Sequence, residues 1–556
     1  MRLKPITLLS FFLFCVQVSH QQTPIIETSL GKISGNVFTS RKGRDIYAYR
    51  GIHYAKPPTE LRRFAAPEPV EAWNETLNAS NDGPSCPQSF TMETIDEDCL
   101  NLNVYTVNVT ASNPVIVYIH GGANIHGSAH SEYGGGPQYL LDEDVVLVSI
   151  SFRLGAFGFL STKTYEASGN YGYLDQVLAL KWVQQHIKNF GGDVSRVTII
   201  GESAGSMAVT LHLTSPMSKG LFHGAIAMSG SATNHYDIDN VYWSRKLAYD
   251  LGCPRYNTQY LLNCLRQISW QRIVNITDSW EPYGMANINW NYEIDGKFLL
   301  EHPSEAIFNN RFNRVPIIAG VTLNEFDFEP ERLEGSNDLL DDMNDNFGLY
   351  ATDFLQFKIT DNNDERMARI REFYYNNKTI NKYNLAGLGK MKSDGLIGHG
   401  VYRLVKLAKK YTNVYYYRFD YIGDKSLYSN GAEKAKGVCH ADDLIYILPK
   451  KTFQVENNST DIFMIDRMVN LFASFAAKGE PPIIDNITWT PSTANETVVL
   501  YNDRKVRMGE QFEVERYALW DELFPIEKSG AGISIPAILL FSFALLWPFL
   551  CQSKLL

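Results

Sequence analysis

Gly201-Glu202-Ser203-Ala204-Gly205 places a serine between two glycines, directly after the apolar run Val197-Thr198-Ile199-Ile200. That order describes a strand turning sharply into a helix, with the serine hydroxyl exposed on the turn. A side chain at 201 or 205 would meet neighbouring backbone in so tight a bend, which gives glycine a steric reason to hold both positions. A helix opening at Ala204 would aim its positive end at the serine and favour negative charge there. Such a serine can attack a carbonyl carbon only if a base removes its proton and donors receive the oxyanion.

The chain offers candidates for each part. His120-Gly121-Gly122 follows the apolar run Val115–Ile119, so the N–H groups of Gly121 and Gly122, with that of Ala204, are candidate oxyanion donors. The candidate base is His440, in the loop Gly437-Val-Cys-His-Ala-Asp-Asp-Leu. Its nearest competitor, His399, lies in a stretch that reads as helix. Glu325 stands after the run Val315–Val321, at the strand end where such sheets gather their catalytic groups, and would hold the imidazole in one tautomer. Asp327 and Glu329 are alternatives for the acid. This chemistry needs no metal and no cofactor.

These residues require a scaffold of buried strands joined by helices. Val115–Ile119, Val145–Ile150 and Val197–Ile200 are continuous apolar runs suited to central strands, whereas Glu97–Tyr105 alternates as a half-buried strand does. Between Asp175 and Asn189, Val177, Leu180, Val183 and Ile187 recur at helical spacing, and Gly191-Gly192 closes the segment. Gly224–Ser229, Val315–Val321 and Val414–Phe419 are further strands. Thr28–Val70 reads as strands and turns of scaffolding, with Pro57-Pro58 excluding a helix. Alternating strand and helix define an α/β fold with a large, mostly parallel sheet. Without a repeat or linker, a single large domain is expected over 21–528.

The ends and the cysteines point to export. Met1-Arg-Leu-Lys followed by the apolar Ile6–Val18 and small or polar Ser19–Gln22 has the form of a signal peptide over 1–20. Cysteines 86, 99, 253, 264 and 439 fall in the mature part, and sequence proximity pairs Cys86 with Cys99 and Cys253 with Cys264, leaving Cys439 as a buried thiol. Each bridge would add roughly 3 kcal/mol in the chain-entropy account. Glycosylation sequons stand at Asn74, Asn78, Asn108, Asn275, Asn377, Asn457, Asn458, Asn486 and Asn495. The segment 529–556 opens with Ser-Gly-Ala-Gly and continues into the apolar Ile533–Cys551. It reads as a GPI signal or a transmembrane anchor, the former preferred, and either would hold the protein at the outer cell surface. A net charge of -10 argues against nucleic acid or an anionic membrane surface as the main partner, which leaves a small-molecule ester as the expected one.

The chain resembles the type-B carboxylesterase and cholinesterase family of α/β-hydrolases from about Thr28 to Leu523. Within that family it is most like the secreted insect carboxylesterases. The resemblance is carried by Gly51-Ile-His-Tyr-Ala-Lys-Pro-Pro, Glu97-Asp-Cys-Leu-Asn-Leu102, His120-Gly-Gly, Phe152–Leu160, Gly169–Gln176, Phe190-Gly-Gly-Asp193, Gly201–Gly205 and Gly437–Asp443. It implies the triad Ser203, Glu325 and His440, an oxyanion hole from Gly121, Gly122 and Ala204, and the same two disulfides. It also implies structural ion pairs of Arg50 with Glu97 and Arg153 with Asp175. Ser203 would attack an apolar carboxylic ester and form an acyl-enzyme. The many aromatic residues suggest a pocket for an apolar acyl or alcohol group, although core packing is the commoner use of such side chains. Two departures stand out. Phe326 follows the acid where the family commonly has glycine, and the loop from Cys86 to Cys99 lacks room for the segment that carries the choline-stacking tryptophan. The alternatives are a cholinesterase and a non-catalytic cell-surface adhesion protein on the same fold.

Overall fold

Eleven strands form the central sheet, and their residues explain their order. They are β1 (Asn36–Thr39), β2 (Asp45–His53), β3 (Asn101–Thr106), β4 (Asn113–Ile119), β5 (Val146–Ile150), β6 (Gly192–Glu202), β7 (Gly224–Met228), β8 (Ile317–Thr322), β9 (Val414–Phe419), β10 (Val498–Asn502) and β11 (Arg507–Glu510). The order across the sheet is β11-β10-β9-β8-β7-β6-β4-β5-β3-β2-β1. From β5 to β10 every neighbouring pair is parallel, while β1, β2, β3 and β11 join antiparallel. The computed structural model describes residues 23–89, 93–280, 289–357, 363–427, 435–451, 454–455 and 459–526. The signal peptide, the tail from 529, Asn457 and Asn458 lie outside the described residues.

Continuous apolar runs suit strands covered on both faces, and the core divides accordingly. In β4, Val115, Val117 and Ile119 pack into one core layer, whereas Ile116 and Tyr118 pack into the other. The same period of two sends Ile317, Ala319 and Val321 of β8 to the first layer and Ile318 to the second. Helix α1 (Tyr171–His186) and helix α2 (Ala204–Thr214), which opens at the elbow, contribute to the first layer. Helix α3 (Ile462–Lys478) covers the second through Met464, Ile465, Met468 and Phe472.

Two expectations need correcting. Strand β3 starts at Asn101 and is buried along its whole length. The polar positions of its alternation are not wet: Asn103 accepts from the Gly51 N–H and donates to Asp82 and to the Ala129 carbonyl. The pair of Arg50 with Glu97 does not form. Arg50 instead reaches Asp82 at 2.5 Å, and Glu97 takes both Nε (2.6 Å) and the terminal nitrogen of Arg63, which follows the tight turn after Pro57-Pro58.

Arg153 and Asp175 do pair. Arg153 Nε and its terminal nitrogen donate to the two carboxylate oxygens at 2.8 and 2.7 Å, and the Arg153 N–H donates to the same carboxylate at 3.1 Å. Both side chains are buried, so the bridge ties α1 to the chain leaving β5.

The disulfides are Cys86–Cys99 and Cys253–Cys264, and Cys439 is free and buried. The seven described sequon asparagines, at 74, 78, 108, 275, 377, 486 and 495, are all exposed. Among the described residues no helix is long and apolar enough to cross a membrane.

Candidate active site

The elbow forms where β6 ends. Ser203 has φ 58 and ψ -123, which few side-chain-bearing residues adopt, and α2 begins at the next residue. Neighbouring backbone enforces the bend: a Cβ on Gly201 would collide with the Gly205 carbonyl, and one on Gly205 with the Ile119 carbonyl. The Ser203 N–H donates to the Met228 carbonyl at 2.9 Å, fixing the turn to the end of β7.

The donor loop is pressed against this turn. A Cβ added to Gly121 would stand 2.6 Å from the Glu202 carbonyl oxygen and 3.2 Å from Ser203 Cβ, so only glycine lets the loop come this close. The Gly122 carbonyl accepts from the N–H groups of Ile125 and His126, which curls the loop back. His120 is buried and stacked on Phe152 at 4.3 Å. Its Nδ1 donates to the Gly121 carbonyl at 2.9 Å, and burial pushes its pKa down to about 4, so the ring is neutral. From the disulfide loop, Gln88 accepts from the Gly127 N–H and donates to the Gly127 carbonyl, both at 2.9 Å, and so clamps the far end of the donor loop.

The candidate acid, Glu325, follows the end of β8, and the candidate base, His440, lies in the loop segment after β9. His440 Nδ1 lies 2.6 Å from Glu325 Oε2, and the His440 N–H donates to the Glu325 carbonyl. A carboxylate only accepts, so Nδ1 carries the proton of this bond. Glu325 Oε1 accepts from Ser229 Oγ and from the Thr322 N–H, each at 2.8 Å, which saturates the acid. Phe326, the departure from the family pattern, lays its ring 4.6 Å from the imidazole and is held by its N–H to Ser393 Oγ.

His440 Nε2 faces Glu202, whose Oε1 is 3.0 Å away as an ion-pair contact, and neither atom has a hydrogen bond among the described residues. No hydrogen bond joins Ser203 Oγ to His440 among the described contacts. The constellation is therefore closed on its acid side, while the imidazole leans to the carboxylate beside the serine. Burial disfavours the imidazolium, but the Glu202 charge and the Glu325 hydrogen bond outweigh it and raise the His440 pKa to about 9. Burial raises the pKa of Glu202, with His440 and Lys450 opposing.

The competing candidates are engaged elsewhere. His399 Nε2 pairs with Asp521 at 3.0 Å. Asp327 accepts from Ser393 and Asn324, and Glu329 pairs with Arg332 and Lys392. Sequence reasoning missed Ser229 and the contact of Glu202 with His440. The first had a signal in its place at the end of β7, beside the two strands that carry the other groups.

A sheet covered on both faces, with a serine on a strand-to-helix elbow, defines an α/β-hydrolase. A sequence model of the Carboxylesterase family matches residues 22–520, and the chain belongs to this family. It is similar to juvenile hormone esterase of Tribolium castaneum, 34% identical over 84% of this chain and 85% of that one. It is likewise similar to esterase FE4 of Myzus persicae, 35% identical over 91% and 94%. In fold it is like the crystal structure of juvenile hormone esterase from Manduca sexta with OTFP covalently attached. That likeness has a TM-score of 0.79 at 23% identity and covers 90% of this chain and 99% of that one. The chain is a carboxylesterase that hydrolyses carboxylic esters.

Proposed function

We propose that Ser203 is the nucleophile, His440 the general base, Glu325 the residue that orients it, and the N–H groups of Gly121, Gly122 and Ala204 the oxyanion donors. Ser203 Oγ attacks the ester carbonyl as His440 Nε2 takes its proton, and the oxyanion turns to the donor loop. The imidazolium then protonates the leaving alcohol, which departs from the acyl-enzyme. Water, deprotonated by the same Nε2, releases the acid and restores Ser203. The supporting observation is the strained Ser203 at the edge where the His440–Glu325 pair and the donor loop converge. A fluorophosphonate probe applied to the folded protein should label one peptide, that of Ser203. Absence of labelling, or labelling mapped to another serine, would overturn the assignment.

The Glu202 contact gives the reaction a pH dependence. Neutral imidazole is the working base, so kcat/KM should rise with pH up to about 9, where His440 loses its proton. Glu202→Gln removes the charge that does most to hold that proton, so the midpoint of the acidic limb should move to lower pH. The limb is read from kcat/KM on a neutral aryl ester between acid and alkaline pH. A midpoint that stays put or moves upward contradicts the reading.

The protein acts in the secretory pathway or outside the cell, a reading supported by the form of residues 1–20, by two disulfides and by exposed sequons. The catalytic domain spans 21–528, and attachment to the outer membrane face rests on the sequence of 529–556 alone.

A further inference from the structure

A cavity of about 440 Å³ opens beside the donor loop, and Gly121, Gly122, Glu202, Glu93, Tyr133 and Lys450 are among its walls. Lys450 is placed there by backbone. The Gly136 N–H donates to the Pro449 carbonyl at 2.8 Å and the Lys451 N–H to the Glu132 carbonyl at 2.5 Å, which holds 449–451 extended along the loop 132–136. Successive side chains of an extended segment point to opposite sides. Lys451 accordingly turns out to pair with Glu132 at 2.8 Å, while Lys450 turns into the cavity. There its ammonium makes no direct ion pair with a described residue. Burial lowers its pKa, and Glu202 and Glu93 oppose this through space.

We propose that Lys450 makes this cavity selective by charge, excluding esters that would place a cationic group beside the donor loop and admitting neutral ones. The inference rests on the ester-hydrolysing role of Ser203, because the cavity shares Glu202 and the donor loop with that site. The remaining walls would otherwise welcome a cation. Glu93 and Glu202 are carboxylates, and the Tyr133 ring already carries a cation, the Lys451 ammonium 5.7 Å from its centroid. Lys450 is the charge that reverses this preference, and in a partly dehydrated site like charges repel strongly.

The test compares acetylcholine with 3,3-dimethylbutyl acetate, which has the same shape with carbon in place of the charged nitrogen. Wild-type protein should favour the neutral ester in kcat/KM by at least about tenfold, the effect of a single unscreened like charge at minimum. In Lys450→Met and Lys450→Gln that preference should fall by at least about tenfold, chiefly through a gain on the cationic ester. A wild-type enzyme that turns over both esters equally overturns the inference, as does an unchanged ratio in either variant that still labels with fluorophosphonate. A wild-type protein that neither labels nor hydrolyses the neutral ester instead overturns the assignment of Ser203.

Discussion

Ser203→Ala is expected to lower ester hydrolysis by at least about a thousandfold, because the donors and the binding surface that remain supply only the residual acceleration seen when a catalytic serine is lost. Labelling by fluorophosphonate should vanish with it. The fold should survive, since alanine keeps the Cβ and removes only a hydroxyl that makes no hydrogen bond among the described contacts. Stability adds an independent readout. Ser203 sits at φ 58, where a Cβ costs energy and glycine has none to place. Ser203→Gly should therefore be as inactive as the alanine variant yet more stable than it by about 1–2 kcal/mol, measured by denaturant unfolding. A glycine variant less stable than the alanine one would show that the elbow is not strained at this residue.

The largest loss of stability is expected at the other buried charge site. Asp175→Ala leaves the Arg153 guanidinium among apolar neighbours with its main acceptors gone, although Arg153 still donates to the Ala65 carbonyl at 2.7 Å. An orphaned buried charge of this kind costs about 3–5 kcal/mol. Arg153→Met with Asp175→Leu removes both charges and fills the space, so the double variant should recover most of that loss. The denaturant midpoints of the single and double variants decide it. A double variant no better than the single would mean that the hydrogen bonds from Arg153 to the Ala65 and Arg62 carbonyls, rather than its charge balance with Asp175, hold this corner together.

The residues that announced themselves in sequence were those whose surroundings are local. Ser203 and its glycines, the strands β4, β5 and β6, and the loop at His120 each carry their reason within a few neighbours, and the β-strand edge then brings Glu325 and His440 to the elbow. What stayed hidden depended on the path of the chain. Glu97 had Arg50 and Arg63 within similar reach, and the turn after Pro57-Pro58 decides for Arg63, leaving Arg50 to Asp82. Ser229 looks like any residue after a strand until β7 is seen to lie between the serine and the acid. The Glu97–Tyr105 alternation suggested a wet face, but its asparagines are bonded inside the protein, and alternation cannot tell water from buried partners.

The Cys86–Cys99 bridge was counted as a source of stability, yet its loop carries Gln88, which clamps the Gly127 peptide, and Glu93, which walls the cavity beside Lys450. Oxidation during folding thus finishes the shape of the catalyst as well as its strength. With this bond open, the sheet and the elbow are expected to remain, while Gln88 loses its fixed hold on the Gly127 peptide and Glu93 its fixed place in the cavity wall. A Cys86→Ser, Cys99→Ser variant should therefore fold and yet show an altered ratio of kcat/KM between two esters.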